Sequence, residues 1–200
     1  MKINNTWMRL IIIAAASNLM VSFASSEEIA LGSTQAPITL IEYGSLACGN
    51  CVNFHEYVLP RVKRHYIDAG TVRFIYRHFP TSEAAVHGAV AAQCAGEKFY
   101  EMLDELYSTV PGWYKAENMD SIFVRKATTL GLNSEVFLSC LSDDKSLDDV
   151  VSQQHAARKD FDVTGTPTFI INGRIVRGKK SFAEMENLIS EALNKKITDD

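Results

Sequence analysis

The spacing of apolar and polar residues divides the chain into three blocks, of which the first predicts a strand–helix–strand unit. The apolar run Ile38–Tyr43 predicts a buried strand. Apolar residues then recur at helical spacing over 48–64, and Gly70 is a natural stop shortly afterwards. The run Thr71–Arg77 predicts a second strand. This order of elements is typical of an α/β fold.

The second block is helical and carries no strand pattern. It begins at Ser82 and contains one predicted loop, Pro111–Trp113. We interpret it as a helical subdomain inserted over about residues 82–160. The predicted helices are Glu83–Cys94, Lys98–Tyr107, Ser121–Leu130, Ser134–Leu141 and Leu147–Phe161.

The third block predicts a strand hairpin and a final helix. Two short apolar runs, 168–173 and 174–176, meet at Asn172-Gly173, which is a strong turn signal. The last helix is predicted over Ser181–Leu193, with Ser181 as the N-cap and Glu184 three residues later completing a capping box.

The N-terminus has the pattern of an export signal. Two positive charges precede the apolar run Leu10–Ala16, and small residues before and at Ala24 suit a signal peptidase. We therefore expect a signal peptide over 1–24 and one mature domain over 25–200, beginning with a short lead-in over 25–35. An uncleaved anchor stays open, although the apolar run is short for a membrane span.

Charge and compartment narrow the possible functions. Loss of Lys2 and Arg9 with the signal peptide changes the net charge from −4 to −6. A mildly acidic domain without a basic cluster gives no electrostatic case for binding nucleic acid. Export places the four cysteines in an oxidising compartment, where disulfides persist.

The central chemical signal is the sequence Cys48-Gly49-Asn50-Cys51 at the predicted junction of the first strand and helix. A thiol at a helix N-terminus faces unpaired backbone N–H groups, which stabilise a thiolate. The second cysteine, one turn later, is close enough to form a disulfide with the first. We interpret the pair as a redox centre with Cys48 exposed and attacking, and Cys51 buried.

Two other interpretations of this pair remain open. A structural zinc site needs two further ligands at short spacing, and Cys94 and Cys140 are isolated from each other and from any close histidine pair. An inert structural pair is the other possibility. Export favours disulfide chemistry over both, and we expect neither a metal nor a cofactor.

Glu42 is unusual because it lies within the first predicted strand, six residues before Cys48. It either alternates outward on an exposed edge or lies buried beneath the cysteines. A buried carboxylate there would have a raised pKa and could exchange a proton with Cys51. We expect His55, two turns beyond Cys48 on the same helix, to pack or to face solvent.

Together these motifs resemble the DsbA-like thioredoxin-fold family from about Ala36 to Leu193. The resemblance implies an α/β thioredoxin fold, a central mixed sheet flanked by helices, with an inserted all-helical subdomain. It depends on the order of several short pieces: Glu42-Tyr43-Gly44, the CGNC sequence, Phe54-His55, Arg77-His78-Phe79-Pro80 and Gly165-Thr166-Pro167-Thr168-Phe169.

The resemblance implies roles for residues outside the cysteine pair. Pro167 is expected to be cis and to face Cys48, leaving backbone groups of Thr166 free to pair with an extended substrate peptide. The resemblance also implies a second, structural disulfide between Cys94 and Cys140. Two buried free thiols are the alternative.

One departure concerns the two residues between the cysteines. Oxidising members commonly have a histidine there, whereas this chain has Gly49-Asn50. Asn50 supplies no positive charge, so we predict that Cys48 is acidified less than in those members. The threonine before Pro167 is shared with disulfide isomerases of related fold.

The resulting functional prediction is a periplasmic thiol:disulfide oxidoreductase that introduces disulfides into exported proteins. Its expected partners are reduced or unfolded exported substrates and a membrane reoxidase of the DsbB type, which the resemblance implies. The short lead-in before the first strand favours a monomer. The alternatives are a disulfide isomerase or reductase of the same fold, and a non-enzymatic copper-binding or surface protein.

Overall fold

The computed structural model describes residues 28–199, so the predicted signal segment 1–24 lies outside the described residues. Five strands form one sheet in the order β1-β3-β2-β4-β5. They are β1 Ala30–Leu31, β2 Ile38–Gly44, β3 Val72–His78, β4 Thr168–Ile171 and β5 Arg174–Arg177. The two central strands β2 and β3 are parallel, and the remaining neighbours are antiparallel. This mixed sheet makes β2 an interior strand.

The first and last helices lie where the sequence predicts them. The first helix, residues 49–67, consists of α1 Gly49–Asn53, the π-helical turn Phe54–Val58, α2 Leu59–Val62 and the π-helical turn Lys63–Ile67. Pro60 lies inside it and has no N–H to donate. The final helix is α9 Phe182–Asp199. It packs against β2 and β4.

The helical insertion lies between β3 and β4, as the sequence predicts. Its helices are α3 Glu83–Cys94, a 3-10 turn Gly96–Lys98, α4 Phe99–Ser108, α5 Val110–Trp113, α6 Met119–Thr129, α7 Ser134–Leu141 and α8 Asp144–Phe161. The insertion contacts the sheet unit through α8 against β3 and α4 against the first helix. The predicted α/β thioredoxin fold with a helical insertion is confirmed.

Two local predictions in the insertion are wrong. The predicted loop Pro111–Trp113 is part of the short helix α5, because proline is tolerated in a first helical turn. Trp113 is fully buried and donates its Nε1–H to the Leu106 carbonyl oxygen at 2.9 Å. Helix α8 begins three residues before the predicted Leu147, because the Asp143 side chain caps it by accepting from a backbone N–H.

The ends of the sheet are defined by turn and capping residues. Asn172 and Gly173 both have positive φ, 44° and 85°, and form the predicted hairpin turn. The capping box is also present, since the backbone N–H groups of Ser181 and Glu184 each donate to the other residue's side chain. The predicted lead-in contains β1, which pairs with β3.

Across residues 28–199 none of the helices has the length and apolar character that a membrane crossing needs.

Candidate active site

Cys48 lies where β2 gives way to the first helix. It is the N-cap residue of α1, with extended backbone angles, and its side chain is partly exposed. Its Sγ lies 3.3 Å from the carbonyl oxygen of Thr166, to which the thiol form donates. A hydrogen bond from the Cys51 thiol is the largest of the effects that lower the pKa of Cys48 to about 5. The Thr166 side chain and the backbone N–H groups of Cys51 and Asn50 lower it further, against the effect of burial.

Cys51 has the opposite environment. Its side chain is fully buried, and its thiol is free in this structure, like that of Cys48. Burial raises the pKa of Cys51 well above its usual range, and the thiolate of Cys48 and the charge of Glu42 raise it further. One cysteine is therefore a thiolate at neutral pH and the other a thiol.

The segment before β4 lies against this pair. The Thr166–Pro167 peptide bond is cis, and Thr166 is partly exposed beside Cys48. The Thr168 side chain donates to the Gly165 carbonyl oxygen at 2.7 Å and so fixes the preceding turn. The structure thus brings Thr166 to Cys48, and the expected cis bond joins Thr166 to Pro167 directly before β4.

Glu42 lies in the interior strand β2, where its side chain has no exposed surface. The edge-exposed alternative is therefore wrong. Its Oε2 lies 2.9 Å from His55 Nε2, and its Oε1 has no hydrogen-bond partner among residues 28–199. Burial raises the pKa of the Glu42 carboxyl, although His55 acts in the opposite direction. A buried carboxyl of raised pKa is suited to accepting and returning a proton.

His55 is a functional candidate that the sequence argument missed. We expected it to pack or face solvent, and it does pack, but its buried ring also pairs with Glu42. The ring stacks on Tyr107 with centroids 4.1 Å apart. Burial disfavours the charged ring, but the carboxylates of Glu42 and Asp104 outweigh burial and raise the pKa of His55 to about 9. Since the pKa values of both partners rise, the Glu42–His55 pair retains a proton at neutral pH.

A signal for His55 was present in the sequence. It follows Cys51 by four residues, which places both side chains on one face of the first helix. The face that buries Cys51 against the sheet therefore also carries His55 toward the strand of Glu42. The missing information was the register between this helix and β2.

The second cysteine pair lies in the helical insertion. Cys94 near the end of α3 and Cys140 in α7 are joined by a disulfide, with their Cα atoms 5.8 Å apart. The bridge connects two helices through cysteines that are 46 residues apart in sequence. Within the described part of the chain, no group of three or more His, Cys, Asp or Glu side chains is arranged to hold a metal ion.

Comparison with known proteins agrees with this geometry. The family model described as thioredoxin matches residues 24–191. The chain belongs to the thioredoxin family. The crystal structure of alpha-DsbA1 from Wolbachia pipientis is 28% identical, covers 87% of this chain and 94% of its own, and superposes with a TM-score of 0.79. BdbD from Bacillus subtilis is 18% identical, with coverages of 84% and 93% and a TM-score of 0.75, and supports the thioredoxin fold alone.

Curated relatives of this thioredoxin-family chain agree with the resemblance to DsbA-like proteins, which is confirmed. A Rickettsia bellii protein, named as a candidate protein-disulfide oxidoreductase, is 26% identical over 76% of this chain. The match spans 60% of that relative's own length. A Bacillus cereus protein, named as a candidate disulfide bond formation protein D, is 27% identical over 86% of this chain and 82% of its own.

Proposed function

We propose that this protein is an exported DsbA-like thiol:disulfide oxidoreductase that introduces disulfides into other exported proteins. The observation that carries the proposal is that the pKa values of two neighbouring thiols shift in opposite directions. The pKa of the accessible Cys48 falls to about 5, while that of the buried Cys51 rises. A stable Cys48 thiolate favours the reduced enzyme and so makes its disulfide a good oxidant.

The proposed reaction is a pair of thiol–disulfide exchanges. A substrate thiolate attacks Cys48 in the oxidised enzyme, which forms a mixed disulfide and releases Cys51 as a thiolate. Cys51 then takes a proton, because its environment disfavours the charge. A second substrate thiolate attacks the substrate sulfur of the mixed disulfide, and the Cys48 thiolate leaves.

The neighbouring residues have complementary proposed roles. Glu42 exchanges the proton of Cys51. Thr166 and the cis Pro167 present backbone groups to an extended substrate peptide beside Cys48. The Cys94–Cys140 bridge is structural, because it lies within the helical insertion and neither cysteine has a partner at CxxC spacing.

The cellular setting belongs to the same proposal. A signal peptide over 1–24 would deliver the protein to the periplasm as a monomer. Reduced or unfolded exported proteins would be its substrates, and a membrane oxidase of the DsbB type would reoxidise it. The named relatives support thiol–disulfide chemistry, and the oxidising direction is the part that needs measurement.

The test is the reduction potential of the Cys48–Cys51 pair in a glutathione series. A Cys48 pKa of about 5 lies about 1.5 units above the DsbA value of about 3.5, which is worth about 2 kcal/mol. That difference lowers the potential by about 45 mV from the DsbA value of about −120 mV. We therefore expect about −165 mV at neutral pH.

The alternatives predict different results. A potential near the thioredoxin value of about −270 mV would support a reductase and contradict the oxidase proposal. Protein disulfide isomerase has a potential of about −180 mV, so the isomerase alternative is tested instead by whether the protein reshuffles a substrate with scrambled disulfides faster than it oxidises a reduced one. Copper retained through purification, with no activity in reducing insulin, would support the non-enzymatic alternative.

A further inference from the structure

A chain of polar groups continues from Glu42 away from the cysteine pair. Glu42 Oε2 contacts His55 Nε2 at 2.9 Å, and His55 Nδ1 lies 3.9 Å from Asp104 Oδ1 on α4. The Glu42 and His55 side chains are 0% and 2% exposed, whereas Asp104 is 68% exposed. The chain therefore leads from the buried centre to the surface in two contacts. The proposed exchange chemistry uses only its first member.

His55 also borders a cavity of about 870 Å³. The cavity lies between β1, the first helix and α4, and its lining includes Leu31, Leu59, Tyr100, Asp104 and Tyr107. Among the residues the structure describes, neither Cys48 nor Thr166 lines it. The cavity therefore brings solvent close to His55 from a side away from the surface where a substrate would lie, and the ring presents there a buried Nδ1 that has no hydrogen-bond partner among residues 28–199.

Two carboxylates and two neutral tyrosines face the His55 ring, and the carboxylates favour a retained proton. Besides Glu42 from β2, the ring faces Tyr76 from β3, and Asp104 and Tyr107 from α4. Tyr76 and Tyr107 hydrogen-bond to each other through their hydroxyl groups at 2.8 Å, and the pKa values of both are raised by burial. Both tyrosines are therefore neutral at physiological pH.

The remaining charges near the ring lie at the cavity rim. They are Glu56 and Lys63 on the first helix, Glu97 in the 3-10 turn and Glu101 and Glu105 on α4. The side chains of Glu101 and Glu105 are already paired with Lys98 and Lys126. Asp104 is the rim carboxylate that pairs with His55, so it is the natural outer member of the chain.

We infer that His55 is a proton-relay residue, which passes the proton of Cys51 from Glu42 to solvent in this cavity with Asp104 as the outer acceptor. The inference rests on the proposed thiol–disulfide chemistry of Cys48 and Cys51. It separates the route of the proton from the surface that binds substrate. A docked substrate that covers Cys48 would therefore leave the protonation of Cys51 unhindered.

The relay balances in each direction of exchange. When Cys51 resolves a mixed disulfide on Cys48, the Cys51 thiol gives its proton to the Glu42 carboxylate, and His55 releases its Nδ1 proton toward Asp104 and solvent. The Cys51 thiolate forms a bond to the Cys48 sulfur, and the bond from Cys48 to the bound thiol breaks. The electron pair leaves with that thiol as a thiolate, and the Glu42–His55 pair again holds one proton. During substrate oxidation the same proton moves inward.

The test isolates the step that needs Cys51 to lose its proton. The reduced protein is mixed with a symmetrical dipyridyl disulfide in a stopped-flow instrument. Attack by Cys48 releases the first pyridine thione, and resolution by Cys51 releases the second. The variants are His55→Gln, Asp104→Asn and the matched control Glu101→Gln, which changes a carboxylate on the same helix and cavity rim.

We expect His55→Gln to slow the second phase by about tenfold or more, as for the loss of a general base, and to leave the first phase within about twofold of the wild type. Asp104→Asn should slow the second phase by about threefold, and Glu101→Gln should leave both phases unchanged. The first phase also shows that each variant is folded with an intact Cys48 thiolate. Because Asp104 is exposed, its variant keeps the test valid even where a change at His55 prevents folding.

Chemical rescue distinguishes a relay from a structural role. In His55→Ala, imidazole added to the buffer should restore the second phase in proportion to its concentration, because the cavity admits it. A second phase unchanged in both His55→Gln and Asp104→Asn would overturn the inference, and so would a slowed phase that imidazole does not restore. The assay does not depend on the direction of physiological catalysis, so a thioredoxin-like potential would refute the proposed function and leave this test intact.

Discussion

Replacing Asn50 with histidine should make the protein a stronger oxidant. Asn50 is exposed at the first turn of the helix, and its backbone N–H already contributes to the Cys48 thiolate. A histidine there would be protonated at the pH where Cys48 titrates, because its ordinary pKa of about 6.5 lies above the Cys48 value of about 5. A positive charge beside the thiolate lowers its pKa by about one unit or more.

The magnitude follows from the size of that pKa shift. One pKa unit is about 1.4 kcal/mol of extra stabilisation of the thiolate, which corresponds to about 30 mV in a two-electron couple. We expect Asn50→His to bring the Cys48 pKa to about 4 and to raise the reduction potential by about 30 mV near pH 5.5, where the histidine is protonated in both redox states, and by about half as much at pH 7. Thiolate absorbance gives the pKa, and a glutathione series gives the potential.

The control places the same residue where it does not reach the thiolate. Asn53→His adds a histidine one turn further along the first helix, five residues from Cys48. It should leave both the pKa and the potential near their wild-type values. The reasoning is refuted if Asn50→His lowers the Cys48 pKa without raising the potential, or if Asn53→His has an equal effect.

Three further predictions follow from the buried groups and the second disulfide. In the oxidised protein, where the cysteines do not titrate, the raised pKa of His55 contributes stability that is complete below about pH 6.5 and lost as the pH rises through about 9. Urea unfolding should show this loss, of order 3 kcal/mol, and the double change Glu42→Gln and His55→Gln, which removes both buried titrating groups, should remove the pH dependence. Glu42→Gln should slow resolution by Cys51 about tenfold or more in stopped flow, with a Cys48 pKa changed by less than one unit. The double change Cys94→Ala and Cys140→Ala should lower the free energy of unfolding by roughly 4 kcal/mol and leave the reduction potential unchanged, since the bridge closes a long loop away from the site.

Much of the fold was predictable because its signals are local. The apolar run that became β2, the Asn172-Gly173 turn and the capping box at Ser181 each depend on residues within a few positions of one another. The contrast between the partly exposed Cys48 and the buried Cys51 was predictable for the same reason, since it follows from their positions at a helix start. The loop expected at Pro111 failed because proline fits both a loop and a first helical turn.

The buried polar groups next to the cysteines were less predictable because tertiary contacts bring them together. Glu42 was recognised as unusual, but only the interior position of β2 decides between burial and exposure. His55 pairs with it across 13 residues, through the packing of a helix on a strand. Asp104 comes from the helical insertion, 49 residues beyond His55, and no spacing rule connects the two.

The fully buried Glu42–His55 pair implies that the stability of the folded protein and its activity favour different residues at these positions. Taking two such groups out of water is costly, and replacing a buried ion pair with apolar residues of similar volume often stabilises a protein by about 1–4 kcal/mol. Selection for heat resistance alone would therefore tend to remove this pair, together with the acid–base chemistry that we assign to it. Engineering a more thermostable form of this protein should begin on the outer helices. Any screen for it should measure turnover as well as the fraction that remains folded after heating.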